Sequence, residues 1–205
     1  MVLKRFFDLS DRKQKEIVDA ALNEFAEYGF VEASTNRIVA KANISKGALF
    51  TYFDSKADLF NYVWSLCMEY MGDPLKEPAE GKDIFDAIID AFKNELNTSH
   101  IYPFIYRIYR YMRNQPDHPV YQPFILETNG HFDKYIDKVL ASNTHYRVSQ
   151  WEAIRKLIKI TVDAMRSELI DGIAKGRDPQ AIFDEYKELF ELYRHGLCAE
   201  GAAED

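Results

Sequence analysis

The sequence has only two cysteines, Cys67 and Cys198, far apart and without the short spacing of a metal-binding pair. That excludes a disulfide scaffold, and the expected state is two free thiols in a reducing cytoplasm. The five histidines (100, 118, 131, 145 and 195) never fall four apart, so no metal site is expected. No run of 18 apolar residues occurs, which excludes a membrane-spanning helix. The opening MVLKRFFDLSDRKQKE turns charged too early to act as a secretory leader. Nucleophile elbows, glycine-rich phosphate loops and close His/Ser/Asp sets are missing, and with them the usual grounds for an enzyme or a bound cofactor. A basic excess is missing as well: the net charge is −7.

The distribution of that charge matters more than its sum. Residues 1–60 hold nine of the 26 basic and nine of the 33 acidic side chains, so they are neutral, and the whole −7 lies beyond them. A neutral head with local basic points can dock on a polyanion, while an acidic body is repelled by one. What the chain has in quantity is apolar residues, 47% over 205 positions, enough for a core in one or two domains.

Those apolar residues recur at helical spacing nearly throughout, glycine and proline fall at borders, and no β-type alternation is sustained. The expectation is therefore an all-α fold of about nine helices. Ser10 caps a first helix carrying Ile17, Val18, Ala21, Leu22 and Phe25, which Gly29 ends. A long helix runs from about Ser55 to Met71, a polar link follows at 73–82, and further helices are expected over 83–97, 103–114, 118–142, 148–174 and 179–195, with a frayed tail. The domain boundary is placed at 56/57: an N-terminal domain of residues 1–56 and a helical domain of 57–205.

The densest information lies in Gly29–Phe60. Ser34 is a candidate cap for a short helix bearing Ile38, Val39 and Ala42; Asn43 stands in the turn, where a left-handed backbone favours glycine or asparagine; Ser45 caps a second short helix. Gly47 inside that helix costs about 1 kcal/mol relative to alanine, so it asks for a reason, and close approach of another body supplies one. Leu49 and Phe53 are spaced to face inward, and Lys46, Ala48, Thr51 and Tyr52 outward. Lys46 is suited to a guanine edge or a phosphate, Ala48 and the Thr51 methyl to thymine, and Tyr52 and Lys56 to phosphate. This is a helix-turn-helix laid out for DNA.

The run S-T-N-R-I-V-A-K-A-N-I-S-K-G-A-L-F-T-Y-F-D-S-K, Ser34 to Lys56, resembles the hallmark of the TetR family of bacterial transcriptional regulators, close to T-x-x-x-I-A-x-x-A-G-V-S-x-G-x-L-Y-x-[HY]-F-x-x-K. The resemblance covers about residues 10–60. It implies DNA contacts from Thr35 and Asn36 on the first motif helix, from Lys46, Gly47, Ala48, Thr51 and Tyr52 on the second, and from Lys56 beyond, beside the phosphate contact expected at the helix end that Ser45 caps. Val39 and Asn43 replace the usual alanine and glycine, and Phe50 replaces a tyrosine whose hydroxyl commonly meets the DNA backbone. The resemblance further implies a C-terminal ligand-binding and dimerisation domain, the last two long helices pairing with those of a second copy.

Two apolar stripes fit that pairing: Trp151, Ile154, Ile158, Val162, Met165 and Leu169, widened by Leu157, Ile160 and Ala164, and then Ile182, Tyr186, Leu189 and Tyr193. Closure of the chain's own core is the alternative for both. The aromatic run from Tyr102 to Met112 and Phe124 offers walls for a lipophilic or aromatic ligand, with Tyr106, Arg107, Tyr109, Arg110, Phe124, Thr128, Asn129 and His131 as candidate lining; ordinary core and a solvated arginine face are the alternatives. Asn129-Gly130 reads equally as polar anchor or loop. The expected function is a dimeric regulator, a repressor of a palindromic operator released by a small effector. The rival is a DNA-bound scaffold that positions a partner protein without any ligand.

Overall fold

In the computed structural model, residues 1–71, 81–142 and 146–198 are described. The break at Ser142–Thr144 and the tail lie mostly outside them, as does the expected link apart from its last residues. The elements are α1 (Lys4–Phe7), α2 (Asp11–Glu32), α3 (Thr35–Lys41), α4 (Lys46–Tyr52), α5 (Lys56–Met71), α6 (Ile84–Ile101), α7 (Pro103–Asn114), α8 (Gln122–Ser142), α9 (Trp151–Ala174) and α10 (Pro179–Cys198). A 3-10 turn at Val148–Gln150 leads into α9. Among the described residues the one β feature is an antiparallel bridge between Val2 and Phe53. No helix there is long and apolar enough to cross a membrane.

The all-α expectation holds, with local differences. α1 is additional to the expected helices, and α8 begins at Gln122 rather than at residue 118. Residues 115–121 instead form turns, Tyr121 N–H donating to the His118 carbonyl at 2.8 Å. Asn129-Gly130 lies within continuous helix, which removes the loop alternative. Gly29 does interrupt the first helix, with φ 66 and ψ −179, but a further turn continues to Glu32.

The chain forms two compact units. The first gathers α1–α5 with α7 and the turns that follow it. Its core is aromatic: Phe6, Phe25, Phe53, Phe60, Trp64 and Tyr121 are all at most 1% exposed. Their rings meet edge-on, Phe25 and Phe60 at 5.0 Å, Phe60 and Tyr121 at 5.6 Å, and Trp64 and Tyr109 at 5.1 Å. Each such side chain contributes about 1.5–3 kcal/mol by leaving water. The Cys67 thiol is free and buried, and burial pushes its pKa up to about 12.

The second unit gathers α6, α8 beyond its first turn, α9 and α10. It is aliphatic: Ile84, Ile88, Ile136, Val139, Ile158, Val162 and Ile182 are fully or almost fully buried. Here the stripe expected to meet a second copy finds another use. Ile154, Ile158, Val162, Met165, Leu169 and Ile182 are each at most 4% exposed within a single chain, so they close its own core. Of the same stripes, Ile160 at 60% exposed and the half-buried Leu157 and Leu189 stay on the surface, where Leu192 at 68% joins them. Trp151, Tyr186 and Tyr193 are also half-buried. The Tyr186 hydroxyl donates to Glu168 across the α9–α10 pair at 3.0 Å.

Candidate nucleic-acid interface

The placement of α3 begins with a buried charge. Glu24 falls in the apolar register of α2, beside Ala20, Ala21 and Phe25, and is 0% exposed. Its Oε1 accepts from Ser34 N–H at 2.9 Å and from Arg37 Nε at 2.7 Å. The Arg37 guanidinium also donates to the Glu32 carbonyl at 3.0 Å and stands 4.2 Å over the Tyr28 ring. Ser34 occupies the cap position expected of it, but its side chain makes no capping bond. The amide at that end is held by Glu24 instead.

The other end of α3 is fixed by Lys13, whose Nζ donates to the Ala42 carbonyl and to Glu16, both at 2.9 Å. Asn43 then takes φ 49, the left-handed turn its position calls for, and Ile44 N–H returns to the Val39 carbonyl at 3.1 Å. Ser45 caps α4, its Oγ accepting from Ala48 N–H at 3.0 Å. Leu49 and Phe53 are buried as their spacing requires, which fixes the opposite side of this short helix outward.

On that outer side Asn36, Ser45, Lys46 and Gly47 are exposed, while Thr35, Ala48, Thr51 and Tyr52 are half-buried. The Thr51 hydroxyl donates back to the Ala48 carbonyl at 2.7 Å, leaving its methyl as the group free for outside contact. A Cβ built on Gly47 would meet nothing nearer than Ser45 Oγ at 3.9 Å. Nothing in this chain requires glycine there. Phe50, in the place of the resemblance's tyrosine, is 40% exposed.

Lys56, expected at phosphate, is engaged within its own chain. Its Nζ donates to the carbonyls of Val31 at 3.2 Å and Ala33 at 3.0 Å, 4.6 Å from the Phe30 ring centroid. Burial holds its pKa below the ordinary lysine value. As placed, the ammonium closes the end of α2 from the first turn of α5.

The candidate ligand residues divide. Tyr106, Tyr109 and Phe124 belong to the first unit: Tyr109 and Phe124 pack on Trp64 at 5.1 and 5.9 Å, and Tyr106 tilts against Tyr109 at 6.3 Å. Arg107 is exposed, and Arg110 lies 5.4 Å over the Tyr111 ring. Thr128, Asn129 and His131 belong to the second unit, Asn129 and His131 exposed on α8. No group of three or more His, Cys, Asp or Glu is placed to hold a metal among the described residues.

Sequence reasoning did not single out Glu24, Tyr111 or Tyr121. Glu24 had a signal, an acid within an apolar stripe. The tyrosines had none, since their partners are distant in sequence: Tyr111 donates from its hydroxyl to the Glu27 carbonyl, and the Tyr121 hydroxyl accepts from Phe30 N–H at 2.7 Å.

Two short helices in contact, with a left-handed asparagine between them and exposed polar residues on the second, define a helix-turn-helix protein. The family model described as bacterial regulatory proteins, tetR family, matches residues 17–63. Over those residues the chain carries the N-terminal domain of that family. It is 32% identical over 53 residues to the probable acrEF/envCD operon repressor of Escherichia coli, covering 26% of this chain and 24% of that protein. It is 32% identical over 97 residues to the transcriptional regulator RutR of Escherichia coli, covering 47% and 46%. The chain thus matches from about a quarter to under half the length of these relatives. In fold, a TetR family transcriptional regulator from Chloroflexus aurantiacus is similar over 98% of both chains, with a TM-score of 0.68 and 21% identity.

Proposed function

We propose that this protein is a DNA-binding transcriptional regulator that reads an operator through α4 and acts as a repressor. The observation that carries the reading is Gly47: an exposed glycine in the first turn of a helix, with no neighbour in its own chain to require it, preceded by exposed Ser45 and Lys46. A helix built to let a duplex approach its backbone accounts for that choice. Thr35 and Asn36 hold the duplex from α3, and Lys46, Ala48, Thr51 and Tyr52 meet base edges and phosphates. Lys56 supports the interface from within. Selection of bound duplexes from a random pool tests this reading; recovery of a shared, roughly palindromic sequence is expected, and a pool that stays random defeats it.

Palindromic recognition requires a second copy. The surface suited to it is the outer stripe of α9 and α10: Ala153, Leu157, Ile160 and Ala164 recur at four- and three-residue spacing, with Leu189 and Leu192 on α10. The effector is a small lipophilic or aromatic molecule engaging the rings around Trp64. α7 carries Tyr106 and Tyr109 and also Tyr111, whose ring lies against Gly29 near the end of the helix that precedes the reading motif. A ligand that shifts α7 therefore acts on that joint, and it releases DNA only if it binds the displaced arrangement more tightly.

A further inference from the structure

The nine lysines and arginines of residues 1–60 are divided by the fold. Five have partners in the chain: Arg12 and Lys13 on Glu16, Lys15 on Asp19, Arg37 on Glu24, and Lys56 on two carbonyls. Lys4, Arg5, Lys41 and Lys46 are exposed and make no side-chain ion pair or hydrogen bond among the described residues. Lys46 opens α4. Lys4 and Arg5 sit at the opposite end of that helix, because α1 is fastened there. Leu3 N–H donates to the Tyr52 carbonyl at 2.8 Å, and Val2 bridges Phe53. Phe6, 0% exposed, packs 4.9 Å from Phe53 and 6.3 Å from Tyr52 between ring centroids.

We infer that Lys4 and Arg5 form a second clamp on the sugar-phosphate backbone of the duplex that α4 reads. Four residues of helix have no stability of their own; the buried Phe6 ring and the Leu3–Tyr52 hydrogen bond hold α1 in place. The two residues just before that anchor are both cations, both exposed and both unspent on internal pairs. A cation without an internal partner gives up nothing to meet phosphate and releases condensed counterions when it does. The basic points at the two ends of α4, Lys46 and the Lys4–Arg5 pair, fix the helix along the duplex, while sequence is left to the residues between them. This clamp rests on the reading of α4 given above.

The test uses the full chain and a duplex recovered by selection, with affinity followed over a range of salt concentrations. Lys4→Ala/Arg5→Ala is expected to make the dependence of log K on log salt shallower by about 1.8 per bound subunit, two contacts at about 0.9 each. It is expected to lose affinity equally for the selected duplex and a scrambled one, and Lys4→Arg/Arg5→Lys to restore both. Lys4→Glu/Arg5→Glu repeats the test by repulsion, and circular dichroism with the thermal midpoint checks that Phe6 stays packed in each variant. An alanine pair with wild-type slope and affinity overturns the clamp while leaving the reading of α4 intact. A wild-type protein that binds no duplex in a salt-sensitive way overturns that reading, and the clamp with it.

Discussion

A Cβ on Gly29 would lie 2.6 Å from both Cγ and Cδ1 of the Tyr111 ring. The glycine also holds φ 66 with ψ −179, a backbone region that residues with a side chain scarcely enter. The same tyrosine donates its hydroxyl to the Glu27 carbonyl, so one ring both caps and crowds this break in α2.

Gly29→Ala therefore meets two penalties, backbone strain and overlap with Tyr111, together about 3 kcal/mol. Urea unfolding should show that loss. Removing the ring as well, in Gly29→Ala/Tyr111→Ala, relieves the overlap but leaves the strain. A single variant as stable as wild type would show that the joint is not held as described.

Cys67 makes a prediction about pH. The folded chain keeps the thiol proton to about 12, whereas an ordinary thiol releases it near 9.0. A raised acid pKa means that ionisation favours the unfolded chain: the contribution is fully present below about 9 and is lost as pH rises toward about 12. Stability measured across that window should fall more steeply for wild type than for Cys67→Ala. At neutral pH Cys67 should resist thiol reagents until the protein is unfolded, a result best read in a Cys198→Ser background.

The two apolar faces of α9 separate by substitution. Ile160→Glu or Leu192→Glu places a charge on exposed positions and should leave the fold intact while shifting gel filtration from dimer to monomer. Ile158→Glu buries an unpaired charge where the side chain is 0% exposed and should prevent folding. Ile160→Glu eluting as an unchanged dimer would place the interface elsewhere.

How much of this was legible in the sequence depends on where each cause lies. The reading motif was legible because its causes are local: Ser45 caps, Asn43 turns left-handed, and Leu49 and Phe53 set the inward side. α1 was not, because a four-residue helix exists here only through Phe6 packing on Phe53 and Tyr62, far along the chain. The start of α8 shifted for a similar reason, since Tyr121 is recruited to Phe30 N–H. On α9 spacing reveals an apolar face but not whether the same chain covers it: Ile154, Ile158 and Val162 are buried in their own chain, while Ile160 and Ala164 stay exposed. Lys56 shows the limit for charge. A lysine in the motif's phosphate position reads as a DNA contact until the fold sets two carbonyl oxygens beside it.

The central claim, that α4 leaves room at Gly47 for DNA and not for its own fold, is tested most directly by Gly47→Ala. The new Cβ meets only open space within the chain, and alanine is readily accommodated in the first turn of α4. The measurement is paired: thermal midpoint, and affinity for the selected operator, for wild type and variant. A midpoint equal to or above wild type with an affinity lower by about tenfold or more, roughly 1.4 kcal/mol, is the predicted result. Unchanged affinity in an equally stable protein would contradict it.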